Sequence, residues 1–132
     1  MKNNIRSVLV KYKIHPTKQR IKVYDFLIKN PIHPTAEEIF RGIYSDKNPV
    51  SLATIYNTLK LFDENELIHT ITLHDGKTYY DAFLHSHAHF YSLEDGKIHD
   101  LNIDYQSIKE QLPPEMEAKT INVLIYGNVK NN

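Results

Sequence analysis

At 132 residues the chain is long enough for one or two small domains with a true core, and no run reaches the ~18 apolar residues of a membrane span. It contains no cysteine, which excludes disulfides, thiolate zinc sites and thiol redox switches, so any metal must sit on His nitrogen and carboxylate oxygen. The formal net charge of zero hides two opposite fields: residues 1–62 carry eleven Lys or Arg against four Asp or Glu, a net of +7, and residues 63–132 carry five against twelve, a net of −7.

That asymmetry points to a basic surface meeting an anion in the first half and a different use of the second. The N-terminus, MKNNIRSVLVKYK, lacks the apolar stretch and cleavage site of a signal peptide, so a cytoplasmic protein is expected.

In chain order, residues 4–13 read as a modest helix that ends near His15-Pro16. Thr17 suits the N-cap of a helix through about Lys29, with Ile21, Tyr24, Phe26, Leu27 and Ile28 as apolar positions. The segment Asn30-Pro31-Ile32-His33-Pro34 breaks it. Thr35 with Glu38 is a capping-box signature for a helix to about Ser45, and Asn48-Pro49 stops the chain again. Ser51 caps a further helix to about Glu64, in which Leu52, Ile55, Leu59 and Phe62 share one face and belong to the core. Ala53, Thr54, Asn57 and Lys60 point away from it, with Tyr56 at the flank. Small, amide, hydroxyl and basic groups suit a major-groove surface; the bland alternative is a plain solvated helix face.

After Glu66 the apolar period switches to two. Leu67–Leu73 and Lys77–Asp81 read as strands around a turn at His74-Asp75-Gly76. Helices followed by a two-stranded hairpin are the order of a winged helix-turn-helix. Beyond Phe83 come two short strands around Glu94-Asp95-Gly96, a helix near Asp104–Leu112 and a strand at Thr120–Tyr126. The expected fold is α+β: an N-terminal winged helix-turn-helix, residues 1–82, then a small α/β dimerisation and metal-binding domain, residues 83–132.

The triplet His85-Ser-His87-Ala-His89 lies between Asp81 and Asp100. On a strand, period two puts all three imidazoles on one face. Strands seldom stack three titratable rings there, whereas neutral imidazoles beside carboxylates form a bed for a transition metal. A solvated polar face is the alternative.

The segments Thr17-Lys-Gln-Arg20, His33-Pro-Thr-Ala-Glu-Glu-Ile39, Ser51-Leu-Ala-Thr-Ile-Tyr-Asn57, Asp75-Gly76, Tyr80-Asp81, His87-Ala-His89 and Gly96-Lys-Ile-His-Asp100 resemble the ferric uptake regulator (Fur) family in order and spacing, over roughly residues 15–101. The resemblance implies a homodimeric, metal-dependent repressor, not an enzyme, bound to a palindromic double-stranded DNA operator. It implies one regulatory site per chain, with ligands His33, Asp81, His87, His89 and Asp100. That donor set suits Fe²⁺ or Mn²⁺, and Zn²⁺ in vitro. His85 could replace one ligand or stand behind them. Contacts to DNA are expected from Lys18, Arg20, Ser51, Thr54, Tyr56, Asn57 and Lys60, with Lys11 and Lys13 as further phosphate contacts.

Both carboxylates are Asp, and Asn57 follows the helix tyrosine where iron-sensing members often have Arg; both features are similar to the peroxide-sensing branch (PerR). There the resemblance implies that bound Fe²⁺ reacts with hydrogen peroxide and that His33 or His87 is oxidised. Many members hold a structural zinc on two Cys-x-x-Cys pairs. Here the first pair is replaced by Ser92 and Asp95 and the second would fall near Val129 and Asn132, so no cysteine-held structural zinc is expected. Dimer stability must then come from packing of Ile121, Val123 and Ile125. An iron- or zinc-availability regulator is the alternative within the family. Outside it stand a small non-haem iron enzyme, which leaves the basic helical half unexplained, and a metal-binding interaction module.

Overall fold

The computed structural model describes residues 2–30, 33–82 and 88–130. The chain divides into two compact units, Met1–Leu84 and His85–Asn132.

The first unit contains helices α1 (Lys2–Lys11), α2 (Lys18–Lys29), α3 (Ala36–Ile43) and α4 (Leu52–Glu64), then the hairpin strands β1 (His69–Thr72) and β2 (Thr78–Asp81). Each helix from α2 on starts where a side chain satisfies the free amides of the first turn. Thr17 Oγ1 accepts from the Arg20 amide at 3.2 Å and Ser51 Oγ from the Thr54 amide at 3.0 Å. Thr35 makes the full capping box: its Oγ1 accepts from the Glu38 amide at 3.2 Å while Glu38 Oε1 accepts from the Thr35 amide at 3.0 Å.

The ends of α1 and α4 are less ordinary. Lys13 (φ 64°) and Glu66 (φ 60°) both take the left-handed conformation. The Ile14 amide then donates to the Leu9 carbonyl and Lys13 to Val10; likewise Leu67 donates to Phe62 and Glu66 to Asp63. These are two Schellman caps built without glycine. Leu9, Ile14, Phe62 and Leu67 are all buried, so each cap also closes an apolar contact.

The core gathers Leu9, Val23, Leu27, Ile39, Ile55, Leu59 and Phe62, with Ile68 just before β1 and Tyr80 of β2. Two expectations are corrected here. Ile28, read as one of the apolar positions of α2, is 40% exposed, whereas Val23, not among those positions, is fully buried. The buried residues of α2 are Ile21, Val23, Tyr24 and Leu27, because only one side of this helix is covered. Thr58 joins the buried face of α4, and Leu52 is only half-buried.

In the second unit β3 (Ala88–Ser92) is the centre of a three-stranded sheet, antiparallel to β4 (Ile98–Leu101) and parallel to β5 (Leu124–Gly127), with α5 (Tyr105–Glu110) on the crossover. The β3–β4 turn is closed by Gly96 at φ 71° and by Asp95, whose Oδ1 accepts from the Lys97 amide at 3.0 Å. That bond, with Ser92 and Lys97 beside it, holds the Asp95 carboxyl below its ordinary range. Ser92 and Asp95 thus belong to a hydrogen-bonded turn.

The last strand is shorter than the expected 120–126. Its pairing with β3 runs from His89 with Leu124 to Ser92 with Gly127. Of the three side chains expected to pack from it, Ile121 and Val123 precede the strand and Ile125 is more than a third exposed.

Candidate metal centre and DNA-reading face

A break in the chain and a strand end bring the first pair of candidate ligands together. Pro34 directly precedes the Thr35 cap, and its carbonyl accepts from the Tyr80 amide of β2 at 2.9 Å. That bond sets the residue before Pro34 beside the residue after Tyr80. His33 takes φ 59°, a conformation that non-glycine residues seldom adopt, and its Nε2 lies 3.4 Å from Asp81 Oδ2. Both side chains are almost fully buried.

The second pair lies within the other unit. The antiparallel register places His89 of β3 directly opposite Asp100 of β4, and His89 Nε2 is 3.5 Å from Asp100 Oδ1. His89 is buried, whereas the Asp100 side chain is 49% exposed. His85 and His87 lie outside the described residues.

Each pair offers one imidazole nitrogen and one carboxylate oxygen. Burying such groups costs free energy unless they are hydrogen-bonded, ion-paired or metal-bound, so histidine–aspartate pairs at protein depth are places to look for a cation. The donor chemistry fits a borderline divalent metal better than Ca²⁺ or Mg²⁺, which favour all-oxygen shells.

The expected DNA contacts all belong to the first unit. On α4, Ala53, Tyr56, Asn57 and Lys60 are exposed and Thr54 is half-exposed, opposite the buried Ile55, Thr58, Leu59 and Phe62. Ser51 is spent on the helix cap, where its hydroxyl also meets that of Thr54 at 2.9 Å. Lys18 reaches Asn48 Oδ1 at 3.2 Å, and Arg20 donates from Nη1 to the His15 carbonyl at 2.9 Å. Both cations are thereby held near the chain while remaining accessible. Sequence reasoning passed over Glu37, on the first turn of α3, which accepts a hydrogen bond from the Tyr56 hydroxyl. Nineteen positions separate the two, so periodicity carries no trace of the contact.

Among the described residues no helix is long and apolar enough to cross a membrane. No curated protein matches the chain by sequence. Solved structures do match. The ferric uptake regulator of Pseudomonas aeruginosa with manganese is 23% identical with a TM-score of 0.78, over 96% of this chain and 98% of that one. The Vibrio cholerae ferric uptake regulator is 21% identical with a TM-score of 0.76, over 94% and 98%. The Campylobacter jejuni peroxide stress regulator is 25% identical with a TM-score of 0.71, over 98% and 96%. These likenesses carry the expected architecture of a winged-helix DNA-binding domain followed by a dimerisation domain. Residues 11–126 match the ferric uptake regulator family. The chain therefore belongs to that family, whose members are metal-responsive transcription regulators that bind DNA and act as dimers, and are not enzymes.

Proposed function

We propose that this chain is a metal-dependent repressor that grips a palindromic operator as a homodimer and releases it when peroxide damages the metal site. The observation that carries the metal reading is the pairing of a buried histidine with an aspartate in each unit, His33 with Asp81 and His89 with Asp100. In this reading one cation per chain is held by both pairs together with His87. Holding it ties the helical unit to the sheet unit. In a dimer the two α4 helices are then set one DNA turn apart, ~34 Å, so that both half-sites are met at once. Losing one ligand frees that tie. A coupling of ~1–3 kcal/mol would change operator affinity ~5–150-fold.

Dimerisation is supported by what the second unit leaves open. Leu93, Leu112, Met116, Ile125 and Val129 are each more than a third exposed, apolar area that a second copy would cover. The zero cysteine count leaves this burial to act without a thiolate zinc.

Two sequence features support the peroxide reading: both carboxylates are Asp, and Asn57 follows the helix tyrosine, as in the branch that the sequence resembles. A peroxide stress regulator and ferric uptake regulators match the chain over comparable lengths, so coverage does not separate the two readings. A ferrous ion in the site would supply the redox chemistry, and the imidazole rings of His33 and His87 would be the groups that receive the oxygen. Fluorescence anisotropy on a palindromic duplex, under anaerobic conditions with Fe²⁺ or Mn²⁺, tests the repressor reading. Binding that appears with metal and is reversed by a chelator is expected. Binding indifferent to metal would overturn it.

A further inference from the structure

Tyr56 and Glu37 are both exposed, yet they are bonded to each other across the two helices of the helix-turn-helix. Tyr56 stands on the outer face of α4, 44% exposed, next to Asn57 and one turn before Lys60. We propose that Glu37 is a specificity-determining positioning residue: by accepting the hydrogen bond of the Tyr56 hydroxyl it leaves that oxygen able only to accept, so Tyr56 selects a base with an amino group in the major groove. The inference rests on α4 being the DNA-reading helix.

The chemistry follows from the donor and acceptor inventory. A phenol has one O–H and two lone pairs. Left alone its hydrogen rotates to suit either kind of partner. An ionised carboxylate only accepts, so a phenol beside it must point its hydrogen inward and show lone pairs outward. Glu37 lies in the first turn of α3, where the helix N-terminus favours negative charge. The shared hydrogen bond holds the Glu37 carboxyl below its ordinary range and the Tyr56 phenol above it, so the proton stays on the tyrosine. In the major groove adenine and cytosine offer amino donors, whereas guanine and thymine offer keto acceptors at the same edge. An accept-only phenol discriminates amino from keto. The bond could instead merely fasten α3 to α4, which would show in stability and not in base preference.

The test is selection of binding sites from a randomised duplex pool by the metal-loaded full-length protein, comparing wild type with E37Q, E37A and Y56F. Wild type is expected to favour A or C over G or T at one position of each half-site. In E37Q and E37A the phenol can donate again, so that preference falls by on the order of fivefold, the worth of one ordinary hydrogen bond. Y56F loses the preference at the same position. Unfolding curves accompany the selection, and E37A keeps the test open should E37Q fold poorly. Base preferences in both Glu37 variants identical to wild type would overturn the inference, as would a change at a position that Y56F leaves untouched. A wild-type protein that enriches no sequence overturns the repressor reading along with this one, whereas enrichment with unmoved preferences overturns this one alone.

Discussion

The amide of Tyr80 donates to the carbonyl of Pro34 at 2.9 Å, and the neighbour of each, Asp81 and His33, forms the buried pair at 3.4 Å. One backbone bond between a strand end and a pre-helical turn therefore registers two candidate ligands that are 48 residues apart. It also holds the left-handed backbone of His33 in place, a conformation that costs of order 1–3 kcal/mol unless the surroundings enforce it.

If the pair binds metal, Asp81→Asn and His33→Ala lower Mn²⁺ affinity at least ~10–100-fold, the usual cost of disturbing a site's ligands or their supports. Asp81→Asn keeps the side chain's shape, so its far-ultraviolet circular dichroism stays native. Titration calorimetry on the anaerobic protein reads the affinity. Wild-type affinity in both variants would remove the pair from the site.

Asp100 is half exposed, unlike Asp81, so its carboxylate is already well solvated and water can replace it more readily. Asp100→Asn is accordingly expected to weaken Mn²⁺ less than Asp81→Asn does. The reverse order would mean that the β3–β4 register, not burial, decides which carboxylate dominates.

The peroxide reading makes a chemical prediction. Iron-loaded protein treated with hydrogen peroxide gains ~16 Da on His33 or His87, one oxygen replacing hydrogen as hydroxyl while peroxide's other oxygen leaves as water, and the Mn²⁺ form does not. Peptide mass spectrometry reads both. Intact rings in the iron form would leave a regulator of metal availability.

Helix starts in this chain were legible because Thr17, Thr35 with Glu38, and Ser51 are side chains whose capping chemistry is local. The ends of α2 and α4, at Lys29 and Glu64, also fall where the breakers put them, but the cap conformations were not legible. The Schellman caps fall on Lys13 and Glu66, and without glycine nothing in the sequence announces a left-handed residue. The α2 stripe was misjudged at Ile28 because hydrophobicity says that a side chain can be buried, not that a neighbour covers it. The proximity of His33 to Asp81 has no local signature at all. Spacing alone could cluster only His85, His87 and His89, while the choice of position 33 came from likeness to a family, and its nearness to Asp81 runs through the Pro34–Tyr80 bond.

The caps also predict stability. Lys13→Gly and Glu66→Gly remove the steric cost of a left-handed side chain while slightly raising unfolded-chain entropy. Each is expected to stabilise the helical unit by about 0.5–1 kcal/mol. Urea unfolding of the metal-free protein measures this. Destabilisation by either would show that the side chain makes contacts worth more than the backbone strain.

Gly42 poses the opposite question, since glycine within a helix costs about 1 kcal/mol relative to alanine. It lies in α3, and a Cβ built there would stand 2.1 Å from Phe26 Cε2 and 2.8 Å from Cδ2 and Cζ. Phe26 belongs to α2 and packs against the core, so its ring has limited room to retreat. Gly42→Ala therefore sets a propensity gain of about 1 kcal/mol against an overpacking cost of about 1–3 kcal/mol, and the clash is expected to win. In a Phe26→Leu background the ring is gone and the same substitution turns neutral or stabilising. The non-additivity of the two changes in urea unfolding isolates the contact. Equal effects of Gly42→Ala in both backgrounds would mean that α2 and α3 can part without cost, and that the glycine is not there for the close approach of Phe26.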